Sequence, residues 1–184
     1  MFHLLLVGLG NLPFPNTRHS VGHIIIDALA SRFAIRMSPG KALDGFTGHS
    51  HVILGESHVD LTLFKPKPFM NITGPAVATA LRHTTHSPGT MIVIHDSLQH
   101  TPKTLSVKFG GSANGHNGVR SVIAALGGDP NFYRFRIGIG RDGDAASYVL
   151  GRLSAEECAH WDVGGGLDMV CKELSRVALK PPAT

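Results

Sequence analysis

Apolar residues along this chain follow two patterns that alternate. After His3 the run "LLLVGL" carries no polar side chain and is too short for a helix, so residues 3–9 read as a buried strand. The segment "GNLPFPNTR" follows with the Gly, Pro and Asn content of a loop. Over residues 20–33, Val21, Ile24, Ile25, Ala28, Leu29 and Phe33 recur at helical spacing, which predicts a helix with one apolar face. Residues 46–54 and 59–64 read as strands, the second through the alternation Val59, Leu61, Leu63, and residues 70–82 return to helical spacing. "MIVIHD" is a second buried strand that stops on a polar pair. "LSVKF" reads as a strand running into the glycine-rich loop "GGSANGHNG", with a helix over 119–126 beyond it. "YRFRIGIG" alternates as a strand. Ser154 and Glu157 form a capping box that opens the last helical region, and the glycines at 164–166 break it.

Strands alternating with helices predict an α/β fold with a parallel or mixed sheet. The length, 184 residues, with 42% hydrophobic and 16% charged positions, is that of one globular domain over 1–184. The apolar runs fall short of the roughly 20 residues that cross a bilayer, which points to a soluble protein with no membrane partner. Neither a signal peptide nor an arginine-rich leader precedes the first strand, so a cytoplasmic location is expected. The loop "NLPFPN" and the proline-rich end leave a mitochondrial or other organellar setting as the alternative. Cys158 and Cys171 lack the spacing of a zinc site or redox pair.

Charge changes this picture more by placement than by its net value of +4. Between Leu61 and Gly128 the bases Lys65, Lys67, Arg82, Lys103, Lys108 and Arg120 face one acid, Asp96. A basic middle of this kind suits a phosphate-bearing partner, although a solvated surface gives the same count.

In open α/β sheets ligands bind beyond the strand carboxyl ends. That rule selects Asn11 after the first strand, Asp96 at the end of "MIVIHD", and the loop "GGSANGHNG", which share one rim if their strands are parallel and adjacent. His19 opens the first helix and belongs to the same rim. A His–Asp pair there would act as a general base toward water, whereas read singly His19 is a polar helix start and Asp96 a turn or helix cap. His95 and His116 share the rim, but of the twelve histidines only His19 is expected to have the carboxylate as partner. Covalent catalysis is disfavoured, because no GxSxG elbow is present and neither cysteine ends a predicted strand. No metal is expected: His19 and His23 are four apart but lack the glutamate of HExxH, and "HSH" at 49–51 and "HTTH" at 83–86 have no carboxylate or cysteine close in sequence. The glycine-rich loop fails the Walker pattern, yet Asn114, His116 and Asn117 offer hydrogen bonds. Asn71, in "PFMNITG", is either a helix cap or a donor to an oxyanion.

The blocks "LLLVGLGN…TRHSVG" (4–22), "KPFMNITGPAV" (67–77), "VIHDSL" with "VKFGGSANGHNGVRSVI" (93–123) and "NFYRFRIGIGR" (131–141) resemble the bacterial-type peptidyl-tRNA hydrolases, a family also found in eukaryotes. They occupy most of the first 150 residues in the family's order. The resemblance implies a single α/β domain with a mixed central sheet surrounded by helices. It implies hydrolysis of the ester between a peptide, or N-blocked aminoacyl group, and the 3′ end of tRNA, by a monomer without cofactors that recycles tRNA from stalled translation. Position by position, it makes His19 the general base, Asp96 the group that holds its ring, and Asn71 the amide that positions water or stabilises the oxyanion. Asn11 and Asn117 would bind the peptide backbone and acceptor end, with His116 beside Asn117 and Met70 lining the cleft. Lys108 and Arg136, with Arg134, would meet tRNA phosphates.

The chain departs from the family pattern in a shorter Asn11-to-His19 loop without its tyrosine, and in Leu12, Ser20 and Asn114, where proline, asparagine and glycine are usual. Because relatives of the fold serve as RNA-binding splicing cofactors in chloroplasts, a non-catalytic RNA-binding homologue is the alternative, and a small-molecule esterase a third reading. The joint presence of His19, Asp96, Asn71, Asn11 and Asn117 favours the hydrolase.

Overall fold

In the computed structural model, which describes residues 2–180, seven strands hydrogen-bond into one sheet. In chain order the elements are β1 (Phe2–Gly8), α1 (Val21–Arg32), β2 (Ser38–Gly40), β3 (Gly45–Leu54), β4 (Ser57–Pro66), α2 (Gly74–His83), β5 (Met91–Ser97), β6 (Leu105–Phe109), α3 (Asn117–Ala125), β7 (Tyr133–Gly138), α4 (Ala145–Leu150), α5 (Ala155–Asp162) and α6 (Gly165–Ala178). The strand order is β2-β3-β4-β1-β5-β7-β6. The central four, β4, β1, β5 and β7, are parallel, while β3 and β6 run antiparallel to their neighbours. The fold is therefore α/β with a mixed sheet, as the sequence pattern predicts. No helix among the described residues is long and apolar enough to cross a membrane.

The unbroken apolar run of β1 follows from burial on both faces of the sheet. Leu4 and Leu6 pack with Ile92, Ile94, Phe135 and the helices α1, α5 and α6. Leu5 and Val7 point the other way, into a second cluster with Phe64, Val93, Phe132, α2 and α3.

Two glycines bring α1 onto the strands at backbone contact. A Cβ on Gly22 would stand 2.5 Å from the carbonyl oxygens of both Leu9 and Ile94, and one on Gly8 would stand 2.2 Å from the Gly22 oxygen. Gly8, the last residue of β1, is in register with Ile94, three residues before the end of β5. The start of α1, and His19 just before it, is thereby pressed against the carboxyl end of β5.

The expectation of one rim of adjacent parallel strands fails at β6. This strand lies outside β7 and antiparallel to it, with Phe109 opposite Tyr133, so it ends level with the start of the parallel strands. The loop that follows doubles back across the sheet to reach the rim, and the buried guanidinium of Arg134 donates to the Gly110 carbonyl at 3.0 Å along the way. The predicted helix over 70–82 opens as a 3-10 turn at Met70–Ile72 before α2. The Ser154–Glu157 capping box is present, and α5 and α6 separate at Val163 and Gly164. Two elements carried no readable pattern: β2 is only three residues long, and α4 is a six-residue helix capped by Asp144, which accepts from the Ser147 N–H.

His23, one turn after His19, is packed into this core. Burial, with Lys65 adding to it and the Pro66 carbonyl opposing, lowers its pKa from the ordinary 6.5 to about 3. The unfolded chain therefore binds a proton at His23 that the folded chain does not, and stability falls as pH drops through that window. The expected slope from this residue is up to about 1.4 kcal/mol per pH unit. Urea unfolding at several pH values should show a shallower acid slope for His23→Leu than for the wild type.

Candidate active site

Asp96 stands one residue before the end of β5 with its side chain 2% exposed, and its Oδ1 accepts hydrogen bonds from two imidazoles. His19, on the 3-10 turn Arg18–Ser20, donates from Nδ1 at 2.8 Å. His116 donates from Nε2 at 2.9 Å. The partnership expected of His19 alone is thus shared, because the returning loop sets His116 at the N-cap of α3. There its Nδ1 accepts from the Val119 N–H at 3.2 Å, which requires a lone pair on that nitrogen and so places the ring proton on Nε2. Asp96 in turn fixes the His19 proton on Nδ1, leaving Nε2 as an acceptor without a protein partner among the described residues. The two rings lie 5.0 Å apart.

Burial alone would raise the Asp96 carboxyl, but His116 and then His19 outweigh it and hold the group well below the ordinary carboxylate range. Asp96 is thus a buried carboxylate kept ionised by two donors. His95 is also buried. Burial and the neighbouring His116 push its pKa well below 6.5, and its Nδ1 lies 2.8 Å from the Asp96 carbonyl oxygen. Its Nε2 has no protein partner among the described residues.

The loop between β1 and His19 is held from several sides. The fully buried Ser20 hydroxyl accepts from the Asn11 N–H at 3.0 Å and donates to the Phe14 carbonyl at 2.9 Å. The Arg18 guanidinium stacks 4.0 Å over the Tyr148 ring of α4 and donates to the Tyr148 carbonyl. Asn11 accepts from the Met70 N–H at 2.8 Å through its side-chain carbonyl, so this predicted binding residue also ties the rim to the Met70–Ile72 turn. Met70 itself is buried, its sulfur where a Cβ on Gly118 would fall, and it is core rather than cleft wall. Asn71 stands exposed on the same turn, its amide without a protein partner among the described residues.

Beside the histidines a cavity of about 410 Å³ is lined by His19, His95, Asp96, His116 and Asn117 together with Arg134, Arg136 and Arg141. Asn11, Met70 and Asn71 lie outside its walls. Lys108 is opposite Arg134 in register on the sheet's edge, and Arg136 donates to Ser106 at 2.7 Å. The sequence reasoning missed Arg141 and the α4 residues Ala145, Ala146 and Val149, which close one side of the cavity. The Asp144 cap was the signal that could have found them. The donor atoms of His19, Asp96 and His116 lie within 4.8 Å of one another, a spacing that would also suit a cation, although hydrogen bonds already engage all three.

This fold, with a histidine–carboxylate cluster beyond the strand carboxyl ends, defines an α/β protein of hydrolase type. The family model described as "Peptidyl-tRNA hydrolase" matches residues 5–179. Among curated relatives, the peptidyl-tRNA hydrolase of Campylobacter curvus is 40% identical over 158 residues, covering 85% of this chain and 80% of its own length. That of Actinobacillus succinogenes is 36% identical over 175 residues, covering 92% and 88%. The crystal structure of peptidyl-tRNA hydrolase from Acinetobacter baumannii superposes with a TM-score of 0.79 at 29% identity, covering 98% of this chain and 96% of that one. A complex of a peptidyl-tRNA hydrolase with n-propanol gives 0.83 at 30% identity, covering 95% and 88%. The chain belongs to the peptidyl-tRNA hydrolase family.

Ser20→Ala would leave the buried Asn11 N–H without its acceptor, at a cost of about 1–3 kcal/mol. Denaturant unfolding should show that loss, and unchanged stability would mean that the loop is held by other contacts.

Proposed function

We propose that this peptidyl-tRNA hydrolase works by general-base attack of water, with His19 as the base. The observation that carries the proposal is the fixed His19 ring: Asp96 occupies Nδ1, and the lone pair of Nε2 is left at the cavity wall. Water gives a proton to Nε2 as its oxygen bonds to the ester carbonyl carbon. The tetrahedral intermediate then expels the ribose oxygen, which takes that proton from His19, and the products are free tRNA and a peptide carboxylic acid that loses its remaining proton to solvent. The Asp96 carboxylate, ionised by its surroundings, stabilises the imidazolium formed between these steps. His116, on the same oxygen, keeps the carboxylate oriented. The oxyanion is assigned to the unpaired amide of Asn71. Asn11 and Asn117 are assigned to the peptide backbone and acceptor end. The Asn117 carbonyl accepts from Arg120 at 3.2 Å, which leaves its NH2 for substrate.

Lys108 and Arg136 are proposed to meet the tRNA phosphates, while the buried Arg134, which holds the returning loop at the Gly110 carbonyl, is removed from that role. Asp96 is the only acid on the cavity wall and is committed to two histidines, so the field there is positive. The protein is read as a monomer, one domain over 1–184, working in the cytoplasm where its substrate arises.

Release of N-blocked aminoacyl groups from tRNA tests the reading. His19→Ala, shown to be folded by circular dichroism, should lose about 100-fold or more, and Asn71→Ala on the order of 100-fold. Lys108→Ala with Arg136→Ala should weaken binding and flatten its dependence on salt. A wild-type protein that binds tRNA but releases nothing would replace the hydrolase with the RNA-binding reading.

A further inference from the structure

Just upstream of His19 the chain is bound to the segment that follows α4. The Arg18 N–H donates to the Gly151 carbonyl at 2.9 Å, and the Leu153 N–H donates to the Asn16 carbonyl at 3.0 Å. These two bonds make an antiparallel bridge between Thr17 and Arg152, which are distant in sequence. The Arg18 side chain then crosses to α4 itself. Its guanidinium carbon lies 4.0 Å from the centre of the Tyr148 ring, and Nη1 donates to the Tyr148 carbonyl at 3.1 Å. That carbonyl lies in the last turn of α4, where helix carbonyls need donors from outside, and α4 has no basic residue of its own there. A Cβ on Gly151 would stand 2.4 Å from Arg18 Nη1, so the glycine makes room for the guanidinium.

Another face of α4 belongs to the cavity, which Ala145, Ala146 and Val149 line beside His19. None of the residues of α4 is fully buried, so core packing holds this helix only in part. Tyr148 supplies the rest: its hydroxyl donates to the Ile139 carbonyl at 2.6 Å, while its ring and carbonyl hold Arg18. His19 is in turn fixed at two points. Its ring is held by Asp96, and its backbone is held through Thr17 and Arg18 by the bridge to Arg152. The direction of the Nε2 lone pair depends on both.

We propose that Arg18 and Tyr148 are positioning residues for the hydrolysis, joining the α4 wall of the cavity to the turn that carries the base. Their role rests on the reading of His19 as that base. A substrate seated against Ala145, Ala146 and Val149 is aligned with a lone pair whose direction is fixed from the same helix. Holding the reacting groups in one geometry in this way removes part of the barrier before the reaction begins. The cavity is lined by neither Arg18 nor Tyr148, so both act through the groups they hold rather than by touching substrate.

Steady-state release of N-blocked aminoacyl groups from tRNA, with kcat and KM separated, tests the proposal on variants shown to be folded by circular dichroism. Arg18→Ala should lower kcat at least about 10-fold with KM unchanged, within the roughly 100-fold that an ångström of misplacement costs. Tyr148→Ala should lower kcat to a similar extent. Combined, the two should lose no more than the worse single variant, because each breaks the same contact. Tyr148→Phe keeps the ring and the carbonyl and should recover most of the loss. Gly151→Ala displaces the guanidinium without removing it, should repeat the Arg18→Ala result, and replaces that variant if it does not fold. In nitrogen NMR spectra of isotope-labelled histidines, His19 should leave its single Nδ1–H form in Arg18→Ala while His116 keeps Nε2–H. Losses that multiply in the double variant, a loss confined to KM, or an unchanged His19 spectrum overturn the proposal. His19→Ala separates it from the reading beneath it. If that variant is inactive while Arg18→Ala and Gly151→Ala keep full kcat, the positioning role alone falls, and if it is active both fall.

Discussion

A single buried carboxylate oxygen organises the candidate active site of this protein. An ionised carboxylate with its side chain 2% exposed would be costly without partners, and Asp96 has two N–H donors on one oxygen. Those donors come from the 3-10 turn before α1 and from the N-cap of α3, while the acid itself stands one residue before the end of β5. The charge therefore ties together three segments that are distant in sequence. It holds because α1 meets the strands at Gly8 and Gly22 without intervening side chains, and because the loop after β6 returns across the sheet. A larger residue at Gly22 would displace the histidine, and with it one of the two donors that keep the carboxylate charged.

The legible part of the molecule was the part governed by local periodicity. The apolar runs of β1 and β5, the alternation of β4 and β7 and the helical spacing of α1 each express burial within a short window. His19 and Asp96 followed from the rule that ligands gather at strand carboxyl ends, sharpened by the family blocks. What escaped depended on pairing between distant strands. That β6 is an antiparallel edge strand is a property of the sheet, and nothing in "LSVKF" records it. The second imidazole on Asp96 was missed for this reason, since the position of His116 follows from a loop path. Likewise "HSH" at 49–51 has no carboxylate near it in sequence, and β3–β4 pairing supplies one nine residues further on.

The loop after β1 is fixed by its own side chains. The Ser20 hydroxyl both accepts from the loop's first N–H and donates to a carbonyl farther along. A serine reaches only a backbone that is already close, so this short side chain holds the loop tightly against the start of α1. Arg18 stacked on Tyr148 closes the same loop from the α4 side. The loop is thus fixed by the Ser20 hydroxyl from one side and by Arg18 from the other, and His19 inherits its position from them.

Histidines meet an aspartate at both ends of this sheet, and the surroundings give the two meetings different properties. At Asp96 the carboxylate is buried, and each imidazole is confined to one tautomer by the partner of its other nitrogen or by the acid itself. A nitrogen with a fixed lone pair at a cavity wall is a base with a defined direction. At Asp60, flanked by His3 and His51, the imidazoles are half exposed, their outer nitrogens are in water, and proton exchange between the two ring positions is open. The paired groups are the same in kind, and burial decides whether the ring proton is fixed on one nitrogen.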